Sequence, residues 1–489
     1  MKKNTIILSL GIATMLFASC KKYLQETPYS FLSPSNYYQT GADAQTALMG
    51  VFSVMQAQNY YSRAVYEISE LSGDEMYPSA GNQARADLSY MTYNASNTEI
   101  TVWWQNCYQM IKNANDVIAN VPKTDMDTVF RNNILGNAHF LRAVGYFDLV
   151  RSFSGVPLIT TPITSPTDTL LYPHRASAAN VYQQIIADLK FAEANCFSET
   201  VIGTNGGTTR QPATFKGMVS TGAASSLLAR VYLQRASTTF ADPSDNQNAL
   251  AECNKVISSG TYKLVPSYSS LFNPDTKNGP EHIFSVQFGL APNTGNIVVR
   301  MMLPSALGGA GSFLAQTNFA STAYSSPQDT MRKNWNIYKS SATKYYFYKY
   351  RDNQWVANSN NSRVNWIILR YADVLLMQSE AMNNIDPTNP AKFAGIDSVR
   401  SRAKIPASQF LNFANTPTQG NFVDSLLADR GRELCAEGHR RWDLIRLGRY
   451  KQYMAAVNVT VDDDHFLFPI PYTEMQSNPN LVQNKGPWQ

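Results

Sequence analysis

Apolar positions recur at helical spacing along most of the chain. Leu48, Val51, Phe52 and Met55 fall at i, i+3, i+4 and i+7, the pattern of one buried helix face. The stretches 103–121 and 128–153 keep that spacing, and Pro122 marks the turn between them. Further helices are predicted over 178–195, 215–236, 248–258, 366–383, 390–402 and 422–450. Ala138, Gly145, Ala223, Ala224 and Ala229 stand at packing positions, where small side chains let helix axes approach. Helices paired through short turns predict a mainly α fold of stacked hairpins, like tetratricopeptide units, although no strict sequence repeat is present.

Between residues 262 and 361 the pattern changes. No charge occurs from Met301 to Gln328, "MMLPSALGGAGSFLAQ" (301–316) is glycine-rich, and "KYYFYKY" (344–350) is densely aromatic. This stretch predicts an irregular, loop-rich lobe with a few short strands such as "HIFSVQF" (282–288). The helical stretches 36–261 and 362–489 are expected to join as the scaffold of a single domain, 36–489. Long irregular segments carried on a rigid scaffold are where binding tends to sit.

The N-terminus adds a location. Lys2 and Lys3 precede an uncharged, mostly apolar run from Ile6 to Phe17. Twelve helical residues span about 18 Å, too short for a hydrocarbon core of about 30 Å, so residues 1–19 read as a secretory signal peptide. Ala18-Ser19-Cys20 resembles a bacterial lipobox, with Cys20 lipidated and 20–35 a polar, proline-punctuated tether; Phe17 stands where Leu is usual. The alternative is a soluble secreted protein cut near Ala18. The 41 basic and 36 acidic residues give +5 with no basic block, so nucleic acid is not an expected partner. Cys107, Cys196, Cys253 and Cys435 form no CxxC, and most sit in apolar helical patterns as small hydrophobes.

One stretch has the look of an active site. "ELCAEGHRRWDLIRLG" (433–448) holds six charged residues and a histidine. On a helix, Glu433 and Glu437 are one turn apart, as are Glu437 and Arg441, while Glu437 and Arg440 are three apart. Opposite charges meeting where Gly438 lets the chain turn fix an angle through charge-assisted bonds. Glu433, Glu437, Arg440 and Arg441 therefore read as a structural ion network, with His439 a partly exposed polar residue. Other chemistry lacks its parts. There is no HExxH or GxSxG, and "GGAGS" has no phosphate-loop lysine. Ser341 and Lys344 match Ser-x-x-Lys without its companion motifs, and "DDDH" (462–465) reads as a solvated turn rather than a calcium loop. No catalytic residue, metal or cofactor is expected.

Five segments in order carry a family resemblance: "FLRAVGYFDLVRSFSGVPLIT" (140–160), "SLLARVYLQRA" (226–236), "WIILRYADVLLMQSEAMN" (366–383), "RGRELCAEGHRRWDLIRLGRY" (430–450) and "FPIPYTEMQSNPNLVQN" (468–484). With the lipobox, they make the chain resemble the SusD/RagB family of outer-membrane nutrient-binding lipoproteins. The resemblance implies tetratricopeptide-like hairpins with an irregular lobe packed on them. It also implies a non-enzymatic role: a protein on the outer face of the outer membrane that captures oligosaccharides, or in some branches peptides, for a SusC-like TonB-dependent transporter. A scaffold lid that binds no nutrient is the remaining alternative.

Sugars present flat C–H faces and a rim of hydroxyls, which aromatic rings and nearby polar groups recognise. The resemblance places ligand sites in loops of about two regions. In 59–93 the candidates are Tyr60, Tyr61, Asp74, Tyr77, Arg85 and Tyr90, with Glu75 and Tyr93 nearby. In 324–355 they are Tyr324, Trp335, Tyr346 and Trp355, with Tyr338 and Tyr345 nearby. Most of these rings are expected to pack the lobe, and Trp104 to belong to the core.

Overall fold

The computed structural model describes residues 37–165, 167–168, 171–198, 204–205, 208–209, 216–324 and 329–488. Cys20, the leader and the tether expected over 1–35 lie outside them.

Each long helix starts where a polar side chain can bond its first free N–H groups. Thr40 and Asp43 bond each other's main-chain N–H at the head of α1 (Gly41–Met55). Asn97 caps α2 (Thr98–Asn120), and Asp127 caps α3 (Thr128–Phe153) after a turn containing Pro122. Ser177 and Ser220 cap α4 (Ala178–Asn195) and α5 (Thr221–Ala236), and α6 (Asp245–Ser258) follows. The series resumes with α7 (Tyr371–Ile385), α8 (Phe393–Arg402) and α9 (Gln419–Leu434), the last capped by Thr418.

From α2 to α9 each helix packs on the next, and α6 meets α7 although the lobe separates them in sequence. This is the stacked-hairpin architecture. Ala138, Ala223, Ala224 and Ala229 are fully buried, and the four described cysteines are buried with no disulfide between them. Among the described residues no helix is long and apolar enough to cross a membrane. Helix backbones approach closely where α8 meets α7: a β-carbon on Gly395 would stand 2.2 Å from the Leu375 carbonyl oxygen. Gly395→Ala must push two helices apart, so we expect a loss of about 2–3 kcal/mol in urea unfolding, within the range of over-packed cores.

Two predicted helices are divided. In 366–383, Trp366–Arg370 is a strand and only the remainder is helix. Its unbroken apolar run fits a strand buried on both faces as well as a helix. Residues 422–450 break into α9, Arg440–Arg446 and Tyr450–Ala455, because Ala436 (φ 59°), Gly438 (φ +87°) and Gly448 (φ +68°) adopt left-handed backbone.

The lobe contains two sheets. Strand β1 (Met76–Pro78) comes from the α1–α2 connection; β2 (His282–Val286), β3 (Phe313–Ala315), β4 (Ile337–Lys339), β5 (Tyr345–Phe347) and β6 (Trp366–Arg370) follow. β2 pairs with β6. The other four form an antiparallel sheet in the order β1-β3-β5-β4. Residues 76–78 are thereby part of the lobe in space, whereas Tyr60 and Tyr61 pack against Trp103 and Asp148 of the helices. The C-terminal tail returns to the end of α3: Phe468 donates to the Ser152 carbonyl at 2.7 Å, and Asn484 to that of Phe153 at 3.1 Å.

Candidate functional site

Register decides which rings share a face of the four-stranded sheet. Tyr77 lies opposite Leu314, Leu314 opposite Tyr346, and Tyr346 opposite Tyr338. Residues directly opposite on paired strands point the same way, so these four make one row. On the other face Met76, Pro78, Phe313, Ala315 and Phe347 are buried, while Ile337, Tyr345 and Lys339 at the sheet's end are partly or fully exposed. Strands lie about 4.8 Å apart, which sets Tyr346 and Tyr338 side by side and Tyr77 about 10 Å away across Leu314. Tyr77, Tyr346 and Tyr338 are all partly exposed. Burial raises the Tyr77 phenol, and the nearby phenols of Tyr346 and Tyr90 add to the effect. Tyr90, 57% exposed, ends the short helix Gln83–Tyr90 beside this row.

The row is bordered on two sides. The glycine-rich loop passes beneath Tyr346: a β-carbon on Gly311 would be 3.2 Å from its Cε1. Gly308 of the same loop faces Trp355, whose indole N–H donates to the Ser359 carbonyl at 2.9 Å. At the other end the Tyr348 ring lies 5.5 Å from Tyr338. Next comes the Arg351 guanidinium, 3.5 Å from the Tyr348 centroid and 3.7 Å from that of Trp335. Burial lowers Arg351 to about 10, so it stays charged at neutral pH.

Of the ten sequence candidates, Tyr77, Tyr90 and Tyr346 come together, with Trp355 and Trp335 at opposite borders. The others are corrected. Tyr60 and Tyr61 are buried, and both phenols donate to one Asp148 carboxylate oxygen at 2.9 Å. Tyr324 is buried, donating to the Arg432 carbonyl and accepting from Asn336. Asp74 is held by Arg440 Nε and Nη2 at 2.7 and 2.9 Å. Arg85 bonds Glu67 at 2.8 Å and lies over Phe313, on the core side of the sheet. The three tyrosines have no face left for a ligand, and Asp74 and Arg85 are taken up in ion pairs. Tyr348 and Arg351 were missed; the period-2 placement of Tyr346 and Tyr348 was the available signal.

The charged stretch 433–448 is buried, with partners other than those its spacing suggests. Arg370, at the end of β6, is the hub. It bonds Glu433 at 2.7 Å, Glu281 at 3.0 Å, and Glu437 through Nε at 2.7 Å and Nη2 at 2.9 Å. Arg402 also pairs with Glu281 and Glu433, and Lys349 reaches Glu437 at 2.5 Å. The surrounding arginines hold the Glu433 and Glu437 carboxyls below the usual range despite burial. Arg440 pairs with Asp74 and Glu75, and Arg441 donates to Tyr450 and the His465 carbonyl. The expected contacts of Glu437 with Arg440 and Arg441 do not form, because the left-handed turn at Ala436 and Gly438 interrupts the helix that would bring them together.

His439 is buried rather than partly exposed, and burial, reinforced by the Arg230 charge, lowers it to about 3. Below the ordinary value of 6.5 the unfolded chain takes up a proton that folded His439 refuses. Stability from this site is therefore lost as pH falls from 6.5 towards 3, by up to about 1.4 kcal/mol per pH unit. The stability gap between the native protein and His439→Asn should narrow over that interval in denaturation series at stepped pH.

Ser341 and Lys344 are exposed parts of a turn in which Ser341 Oγ accepts the Lys344 main-chain N–H. Asp463 pairs with Lys451, and among the described residues no three groups are placed to hold a metal ion. A cavity of about 690 Å³ lies elsewhere, between α2 and the segments around Ile159 and Asn478. The buried Trp104 forms part of its wall, and its polar groups are largely paired, Gln105 with Glu474 and Lys112 with Asp116.

Stacked hairpins carrying a lobe with an open row of rings define a helical-repeat protein that presents an aromatic surface. Two family models match the sequence: one described as the SusD family over residues 309–487, and one described as "starch-binding associating with outer membrane" over residues 22–233. The chain belongs to the SusD/RagB family. SusD-like protein P25 of Formosa agariphila is 24% identical across 99% of this chain and 98% of its own. SusD-like protein P38 of the same organism is 25% identical across 98% and 97%. A SusD superfamily structure from Parabacteroides distasonis superposes with a TM-score of 0.77 at 26% identity, covering 91% of this chain and 99% of that one. A structure described as a laminarin-binding SusD-like protein gives 0.74 at 24% identity, covering 92% and 100%.

Proposed function

We propose that this protein captures oligosaccharides at the cell surface and passes them to a SusC-like TonB-dependent transporter. The observation that carries the reading is the row Tyr77–Leu314–Tyr346–Tyr338, whose rings are turned out of the core on a sheet. Rings held by strand register form a rigid plane for the C–H faces of sugars, and little side-chain entropy is lost when a ligand lands on them. The family model described as starch-binding and the neighbour described as laminarin-binding support a glycan as cargo. The leader sequence supports lipidation at Cys20 and an outer-membrane, outward-facing location, with the tether 20–35 giving the domain reach.

Calorimetry with a panel of oligosaccharides and peptides tests the cargo: heat with at least one glycan class is expected, and heat with peptides alone overturns the assignment. Labelling with radioactive palmitate tests the anchor, and loss of label in Cys20→Ala is expected. Co-purification of a β-barrel transporter with the tagged, full-length protein tests the hand-over.

A further inference from the structure

The charge of the lobe indicates the chemistry of the cargo, and this inference rests on the glycan-capture reading above. Residues 262–361 contain nine lysines and arginines and four acids, a surplus of +5 that equals the net charge of the whole chain. All four acids are already engaged: Asp275 and Asp352 by Arg363, Asp329 by Arg332, and Glu281 by Arg370 and Arg402. Of the nine cations Arg332 and Lys349 are paired with carboxylates, and the other seven have no carboxylate partner among the described residues; Lys333, Lys339, Lys344 and Arg351 are four of these. They lie on the β4–β5 hairpin or directly beside it, which is the hairpin that supplies Tyr338 and Tyr346. Lys339 and Lys344 are exposed at its turn; Lys339 lies opposite Tyr345, its ammonium 5.7 Å from that ring, and so faces away from the row, whereas Lys344 alternates in step with Tyr346.

Arg351 differs from a mobile surface cation. Its guanidinium is fixed between Trp335 and Tyr348, with Nε donating to the Tyr348 carbonyl and Nη2 to that of Trp335, both at 2.7 Å. Nη1 has no hydrogen-bond partner among the described residues and is not among the buried polar atoms that lack one, which leaves it facing solvent. A planar guanidinium immobilised at the end of a ring row, with one N–H edge free, is a receptor for a carboxylate or a sulfate. We infer that the glycan bound along Tyr77, Tyr346 and Tyr338 is anionic, carrying uronate carboxylates or sulfate esters whose charges meet Arg351 and Lys344.

Calorimetry on the full chain with three oligosaccharides of equal length tests this: a uronate oligomer, a sulfated galactan oligomer and a neutral β-glucan. One of the two anionic ligands is expected to bind at least ten-fold more tightly than the neutral one, and which of them does so identifies the anion. The advantage is expected to shrink between about 0.05 M and about 0.5 M salt, as screening shortens the reach of the charges. Arg351→Gln should weaken the anionic ligand about ten-fold and leave the neutral one nearly unchanged. If that variant folds poorly, the exposed Lys344→Gln carries the test, with about a three-fold loss expected for the anionic ligand, while Lys339→Gln on the other face should leave it unchanged. Equal or tighter binding of the neutral glycan, or an anionic affinity indifferent to salt, overturns the inference and leaves glycan capture standing. Binding of peptide and of no glycan overturns both.

Discussion

Arg370→Met is expected to destabilise the protein by about 3–5 kcal/mol, the usual cost of removing one side of a buried ion cluster. Arg370 is fully enclosed and, among the described residues, is the one cation that touches Glu281, Glu433 and Glu437 together. Methionine fills much of its volume, so packing loss is small and the deficit comes from charge. Arg402 still serves Glu281 and Glu433, and Lys349 still serves Glu437, but none of the three carboxylates keeps its full set of donors. Arg370→Lys retains the charge and loses the planar fork that spans Glu433 and Glu437, so an intermediate loss is expected. Guanidinium unfolding followed by circular dichroism measures both. A methionine variant as stable as the native protein would show that the cluster contributes no net stability.

The double substitution Tyr77→Ala with Tyr346→Ala is expected to abolish measurable glycan binding without unfolding the protein. Each ring contributes an aromatic face worth about 1–1.5 kcal/mol to a ligand beyond the area it covers. Two together weaken binding roughly one hundred-fold. Both rings are partly exposed on the outer face of the sheet, while the core side is held by Met76, Phe313 and Phe347, so the melting temperature should move by only a few degrees. Tyr60→Phe is the contrasting case. That phenol donates to Asp148 inside the core, so its removal should lower stability and leave affinity unchanged. Calorimetry beside thermal melts separates the two patterns, and undiminished binding by the double variant would move the ligand site away from this sheet.

The helical scaffold was legible because its signals are local. The predicted limits 128–153 and 178–195 coincide with α3 and α4, since Asp127 and Ser177 announce each start in sequence. The run at 366–370 was not legible as a strand: with every residue apolar up to Arg370 it has no period to read, and only pairing with β2 decides it. The ion network was recognised as architecture, but its partners were misassigned. Helical spacing says nothing about Arg370, Arg402 or Lys349, which arrive from other elements. Aromatic candidates divided for the same reason. Whether a tyrosine faces water or Asp148 depends on what packs over it, so Tyr60, Tyr61 and Tyr324 looked the same in sequence as Tyr77 and Tyr346. Arg351 drew no notice because its role comes from two rings that sandwich it in space.

The pairing of Arg440 with Asp74 joins positions 366 residues apart. Glu70 likewise accepts the main-chain N–H groups of Gly438 and His439 at 2.6 and 3.0 Å. A polypeptide emerging amino end first holds these early carboxylates hydrated, with no counter-ion within reach, until the final segment appears. This contact between the two ends of the chain can therefore close only after residues 438–440 have been made.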